Sequence, residues 1–90
     1  MGTTTGTGAR VEVRYFAGAA AAAGTGTEHL DLPAGSTVDD VLAALAAAHP
    51  PLRPVLEVAS VLLDEVVARD RSTPVPDGAQ LDVLPPFAGG

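Results

Sequence analysis

The ordered part of the chain opens on a period-two alternation. In Arg10-Val11-Glu12-Val13-Arg14-Tyr15 every second residue is apolar, which puts Val11, Val13 and Tyr15 on one face of a strand. Residues 1–9 before it are nearly all Gly and Thr; with no apolar face to offset the entropy of ordering, they predict a flexible N-terminal segment. The run Ala17–Gly24 favours helix by its alanines but is too short between its glycines to hold one alone, so a loop with a helical turn is expected. Thr27 to Leu32 alternates again and stops at Pro33-Ala34-Gly35, the pattern of a second strand paired with the first.

At Thr37 the period changes. Thr37 is placed to cap a helix beginning at Val38, with Asp39 and Asp40 in the first turn where free amides favour acids. Val38, Val41, Leu42 and Leu45 then fall on one stripe at helical spacing, and His49-Pro50-Pro51 ends the element. The β-branched run Val58–Leu63, the pair Asp64-Glu65 and Val66-Val67-Ala68 predict two short strands about a tight turn. Asp70–Pro76 is connection and Asp77-Gly78 a turn. Gln80–Leu84 is a last strand, with Leu81 and Val83 inward and Asp82 outward, and Pro85-Pro86 ends its pairing because neither residue donates a ladder hydrogen bond. Strand, strand, helix, two short strands, strand is an α+β order, a mixed sheet covered by one main helix, which is the β-grasp (ubiquitin-like) arrangement. The domain spans 10–85, with a flexible tail over 86–90 that ends in Gly-Gly.

Composition narrows the chemistry. Ninety residues, 47% of them apolar, support one small core. The chain has no Cys, which excludes disulfides, thiolate metal sites and a cysteine nucleophile, and together with the lack of a signal peptide makes the cytoplasm the expected compartment. A formal net charge of -6 repels phosphate backbones, so nucleic acid is not an expected partner. No apolar run approaches the ~20 residues of a membrane span, so no membrane role is expected either. His29 and His49 lack companions at metal-ligand spacing and are expected to be solvated. A helix start and a turn account for the acid pairs Asp39-Asp40 and Asp64-Glu65, which leaves no catalytic residue in the body of the domain.

Three segments in this order resemble the MoaD/ThiS family of ubiquitin-like sulfur carriers: Val13-Arg14-Tyr15-Phe16-Ala17-Gly18, Leu32-Pro33-Ala34-Gly35-Ser36-Thr37-Val38, and Asp77-Gly78 through Val83-Leu84-Pro85-Pro86-Phe87-Ala88-Gly89-Gly90. The last is most similar to the small subunit of molybdopterin synthase. The resemblance implies a carrier protein, not an enzyme, with no bound cofactor. Its Gly90 carboxyl would be joined to AMP from ATP by a ThiF/MoeB-type adenylating enzyme, converted to a thiocarboxylate, and used as sulfur donor. The implied acceptor is the molybdopterin synthase large subunit, with thiazole, thio-sugar, secondary-metabolite or cysteine synthases as the other routes. A ubiquitin-like protein modifier joined through Gly90 uses the same adenylate, and a plain interaction domain is the third alternative.

The tail suits such chemistry. Gly89 and Gly90 carry no Cβ and can thread a narrow channel, together with Ala88. Pro85 and Pro86 stiffen the exit from the sheet, and Phe87 either anchors in a partner or folds back on the sheet. Val61, Leu62 and Leu63 in succession place apolar groups on both sheet faces, which one helix cannot cover. Val61, Leu63, Leu84 and Phe16 are therefore the expected docking residues, unless loops cover them. One departure from the family pattern is local: Asp64-Glu65 stands where Asn-Gly commonly turns the hairpin, and neither residue favours positive φ, so a longer or differently shaped turn is expected.

Overall fold

The computed structural model describes residues 8–86. Its elements are β1 (Gly8–Tyr15), α1 (Gly18–Ala23), β2 (Thr27–Pro33), α2 (Val38–Ala48), α3 (Leu52–Val58), β3 (Ser60–Leu63), β4 (Val66–Val67) and β5 (Gln80–Leu84). The five strands form one mixed sheet in the order β2-β1-β5-β3-β4. Only the central pair, β1 with β5, is parallel among the described strands. The α+β, β-grasp expectation is met.

Register decides what the sheet buries. Val13 lies opposite Leu81, Tyr15 opposite Val83, Val61 opposite Val83 and Leu63 opposite Leu81. With a side-chain period of two, all six share the face that meets the helices. Val38, Val41, Leu42 and Leu45 of α2 are buried against that layer, the stripe their spacing predicts. Each fully buried Val or Leu contributes on the order of 1.5–3 kcal/mol, so this contact between sheet and helices dominates the stability. Thr37 caps α2 as expected: its Oγ1 accepts from Asp40 N (3.2 Å) and Asp40 Oδ2 accepts from Thr37 N (2.9 Å), a reciprocal capping box that satisfies two otherwise unpaired amides.

Four local expectations need correction. β1 begins at Gly8, not Arg10, because the hairpin register continues to Gly8↔Pro33 and carries Ala9, 4% exposed, onto the core face. The expected flexible segment thus loses its last two residues, and the rest of it, like most of the expected tail, lies outside the described residues. The Ala-rich segment forms a six-residue helix, α1, held by burial of Ala19 and Ala23. A third helix, α3, occupies Leu52–Val58, with Leu52 and Leu56 buried at i and i+4. Prolines concealed it: Pro51 is the N-cap and Pro54 falls in the first turn, where no amide is needed for a helical bond. The main helix α2 is therefore joined by two short ones among the described residues, and Val58 ends α3, 63% exposed, instead of starting a strand. Finally, the β3–β4 turn keeps the two-residue length that Asn-Gly would give. Asp64 and Glu65 take φ 49° and 71°, both positive, as a tight hairpin turn requires. Asp64 is held there by β5, accepting from Gln80 N through Oδ1 (2.9 Å) and donating its own N–H to Gln80 O (2.8 Å).

Candidate functional site

β5 is the strand that delivers the tail. It is paired on both edges, to β1 and to β3, and its start is fixed by the Asp77-Gly78 turn. There Gly78, at φ 85°, donates to Arg10 O (2.8 Å) while Asp77 Oδ1 accepts from Arg10 N (2.8 Å). Leu84 and Pro85 are partly buried and Pro86 is exposed. Phe87, Ala88, Gly89 and Gly90, which carry the expected chemistry, lie outside the described residues.

The sheet face turned away from the helices surrounds this exit. Arg14, Asp82 and Leu62 occupy successive strands in register, and Leu62 lies opposite Val67 of the edge strand. Phe16, 39% exposed, donates its N–H to Val83 O (3.1 Å), which seats it beside Leu84. Phe16, Leu84, Leu62 and Val67 thus rim the face. Its centre is polar: Arg14 Nε and Nη2 donate to Asp82 Oδ1 and Oδ2 at 2.9 and 3.1 Å. Asp82 points away from the core as expected, yet it is only 5% exposed because Arg14 covers it. The hydrogen bond to Asp82 holds the Arg14 guanidinium above its usual range, against partial desolvation.

Two expected docking residues are not on this face. Val61, 2% exposed, packs in the core opposite Val83, and Leu63 is partly buried against the same core. Leu62 and Val67 occupy this face instead. In a run of three apolar residues nothing local says which faces out; the pairing of Leu62 with Asp82 decides it, and that contact is not readable from the run itself.

Away from the tail, one cluster departs from expectation. Glu28 Oε2 accepts from the Tyr15 hydroxyl and lies 2.7 Å from His49 Nε2. His49 is therefore a partner in a part-buried network and not a solvated helix end, whereas His29 is exposed as expected. Burial first, and then the bond to Glu28, push the Tyr15 hydroxyl's pKa well above its ordinary value. An open cleft of about 470 Å³ between α2 and α3 is lined by Asp39, Asp40, Leu42, Arg53, Leu56 and Arg71 among others. Asp40 there serves the α2 cap. Among the described residues no group of three or more His, Asp or Glu could hold a metal, and no helix is long and apolar enough to cross a membrane.

Among the described residues, then, a strand paired on both edges runs into a proline pair beside an exposed aromatic. The family model described as the ThiS family matches residues 13–90, from the middle of β1 through the last glycine. The chain belongs to the ThiS family. A curated relative of this ThiS-family chain, the molybdopterin synthase sulfur carrier subunit of Chlamydomonas reinhardtii, is 30% identical over 82 residues, covering 90% of this chain and 99% of the relative. Small archaeal modifier protein 1 of Haloferax volcanii superposes with a TM-score of 0.81 at 31% identity, over 89% of this chain and 100% of its own. In the Helicobacter pylori complex of subunits 1 and 2 of molybdopterin-converting factor, the matched chain gives a TM-score of 0.63 at 27% identity, over 90% of this chain and 99% of that one. This ThiS-family chain is accordingly a carrier-type protein and not an enzyme.

Proposed function

We propose that this ThiS-family chain carries sulfur on the carboxyl of Gly90 for molybdopterin synthesis. The carboxylate attacks the α-phosphate of ATP on a ThiF/MoeB-type enzyme, releasing pyrophosphate and forming the acyl adenylate. Hydrosulfide then displaces AMP, giving a thiocarboxylate and a proton; a protein persulfide would form an acyl disulfide that a further thiol cleaves. The carrier holds no cofactor of its own, ATP belongs to the activating enzyme, and the reaction is placed in the cytoplasm, where ATP is made available. The acceptor is the synthase large subunit, docking on the face rimmed by Phe16, Leu62, Leu84 and Val67, while Pro85, Pro86, Phe87, Ala88 and Gly89 reach its active site.

The single observation that carries this reading is the family match running to Gly90, on a strand whose end emerges at an exposed apolar rim. Intact-protein mass spectrometry after incubation with ATP, the adenylating enzyme and sulfide tests it. The expected result is replacement of one oxygen by one sulfur, mapped to Gly90; an unchanged mass with every such enzyme of the source cell overturns it.

A second reading is favoured by the likeness to small archaeal modifier protein 1: attachment of Gly90 to lysines of other proteins. Heavier conjugates detected in cells with an antibody to this chain, lost on deletion of Gly89 and Gly90, would establish it. The chain has no Lys of its own, so such conjugates would not extend into side-chain-linked chains of itself. Transfer to a thiazole, thio-sugar or cysteine synthase instead would show as sulfur turnover with that acceptor and none with the large subunit.

A further inference from the structure

The docking face has a polar centre that an apolar contact surface does not need. Asp82 is 5% exposed, and the protein groups on its two oxygens are the edge of one guanidinium, Arg14 Nε at 2.9 Å and Nη2 at 3.1 Å. A paired fork of this kind fixes the plane of the guanidinium as well as its position. Cζ of Arg14 in turn sits 5.5 Å from the centroid of the Phe16 ring, within the ~6 Å range of a cation–π contact. Asp82, two residues before Leu84 on the strand that becomes the tail, therefore orients Arg14, and Arg14 orients Phe16.

This pair is only part-buried, with the Arg14 side chain 40% exposed, and an ion pair so open to solvent stabilises a fold little. Its distinctive capacity is geometric. An exposed Phe free to change rotamer loses that freedom on binding, whereas one already held does not. We propose that Arg14, locked by Asp82, is a positioning residue that holds the Phe16 ring in its docking orientation beside the root of the tail.

This inference rests on the carrier reading for its consequence and not for its geometry, so two measurements separate them. Side-chain NMR of the full chain compares Phe16 in the wild type and in Asp82→Asn, which weakens the fork without enlarging or emptying the site. Phe16 should show a single rotamer in the wild type and averaging in the variant; an equally ordered ring in both overturns the inference whatever the protein does. Adenylation kinetics with the ThiF/MoeB-type enzyme, which on this inference grips the same Phe16 face to reach the tail, then test the consequence. Arg14→Leu/Asp82→Leu, chosen to keep the fold, should raise the KM for the carrier roughly tenfold with kcat within about twofold. Arg14→Lys, which cannot make the planar fork, should restore little of it. In a Phe16→Ala background the same double substitution should add nothing, since the pair acts through that ring. A wild-type KM in the folded Leu/Leu variant, or effects that simply add to Phe16→Ala, overturns the inference. A wild type that is never adenylated overturns the carrier reading instead, and the NMR comparison still decides the positioning role.

Discussion

Ala17 occupies a backbone conformation that suits glycine, and its neighbour Gly18 occupies one that suits alanine. Ala17 has φ 51° and ψ -127°, the angles of the first central residue of a type II′ turn, where glycine is favoured. The turn closes by Ala19 N donating to Phe16 O at 3.0 Å. Gly18 begins α1 with no positive φ, and a Cβ built on it would meet nothing within 4 Å. Exchanging the pair, Ala17→Gly/Gly18→Ala, leaves composition and therefore most of the unfolded-state entropy unchanged. It releases strain of about 1–3 kcal/mol for a non-glycine residue in this region and adds part of the ~1 kcal/mol by which Ala exceeds Gly in a helix. A net gain of about 2 kcal/mol corresponds to a rise in Tm on the order of 10 °C for a domain of this size. Thermal unfolding followed by far-ultraviolet circular dichroism, with urea midpoints as a second measure, reads it directly. Gly18→Ala alone should account for the smaller share. A Tm for the exchanged pair at or below the wild type would refute the strain argument, because no lost side-chain contact is available to cancel the gain.

Other substitutions test other parts of the fold. Glu65→Gly should stabilise by about 0.5–1 kcal/mol by relieving its φ of 71°, and Glu65→Gln, which removes only the charge, should not; equal urea midpoints for the two would sink that account. Val61→Ala should cost about 1–2 kcal/mol, and Leu62→Ala much less because its site is only partly buried; calorimetry showing the reverse order would contradict the register. Tyr15 is the sole Tyr and there is no Trp, so phenolate absorbance reports it alone. Its folded pKa is raised, by burial and the bond to Glu28, so the unfolded chain ionises first. The stabilisation is whole below the unfolded value of ~10 and declines as pH rises above it toward the folded value. Phenolate should therefore appear together with loss of helix, and in Glu28→Gln at lower pH; phenolate forming in a fully folded wild type would contradict the network.

How much of this was legible in the sequence depended on whether the deciding contacts were local. The α2 stripe and its Thr37 cap are set by residues within one helix, and the alternation of β1 and β2 by residues within one strand, so both could be read directly. α3 could not, because Pro51 and Pro54 signal breakage unless it is known that they fall at a helix start. The positive φ of Asp64 and Glu65 runs against their own preferences and is imposed in part from β5, sixteen positions from Asp64 along the chain. The docking face failed at Val61 and Leu63 for the same kind of reason: a three-residue apolar run carries no phase, and Asp82 across the sheet supplies it. The tail beyond Pro86 lies outside the described residues; its expected chemistry was read as that of a side-chain-free end, which invokes no tertiary contact.

The position of that end still depends on the fold. A carrier must bring one carboxyl to the same point in more than one active site, and the span open to it is set by the residues beyond the last fixed atom. β5 is hydrogen-bonded on both edges through Val83 and Leu84, so fraying, the usual fate of a terminal strand, is opposed from two sides. Pro85 and Pro86 then have φ held at about -65° by their rings, which stiffens the exit from the sheet. On the proposed carrier reading, a partner that grips Phe16, Leu62 and Leu84 thereby fixes the origin of the tail to within the rigidity of the sheet. Inserting two glycines between Pro86 and Phe87 would lengthen the reach without touching the face. On this reasoning partner binding through the sheet survives and sulfur transfer falls. If transfer continued at the wild-type rate, the tail's fixed origin would be irrelevant to function.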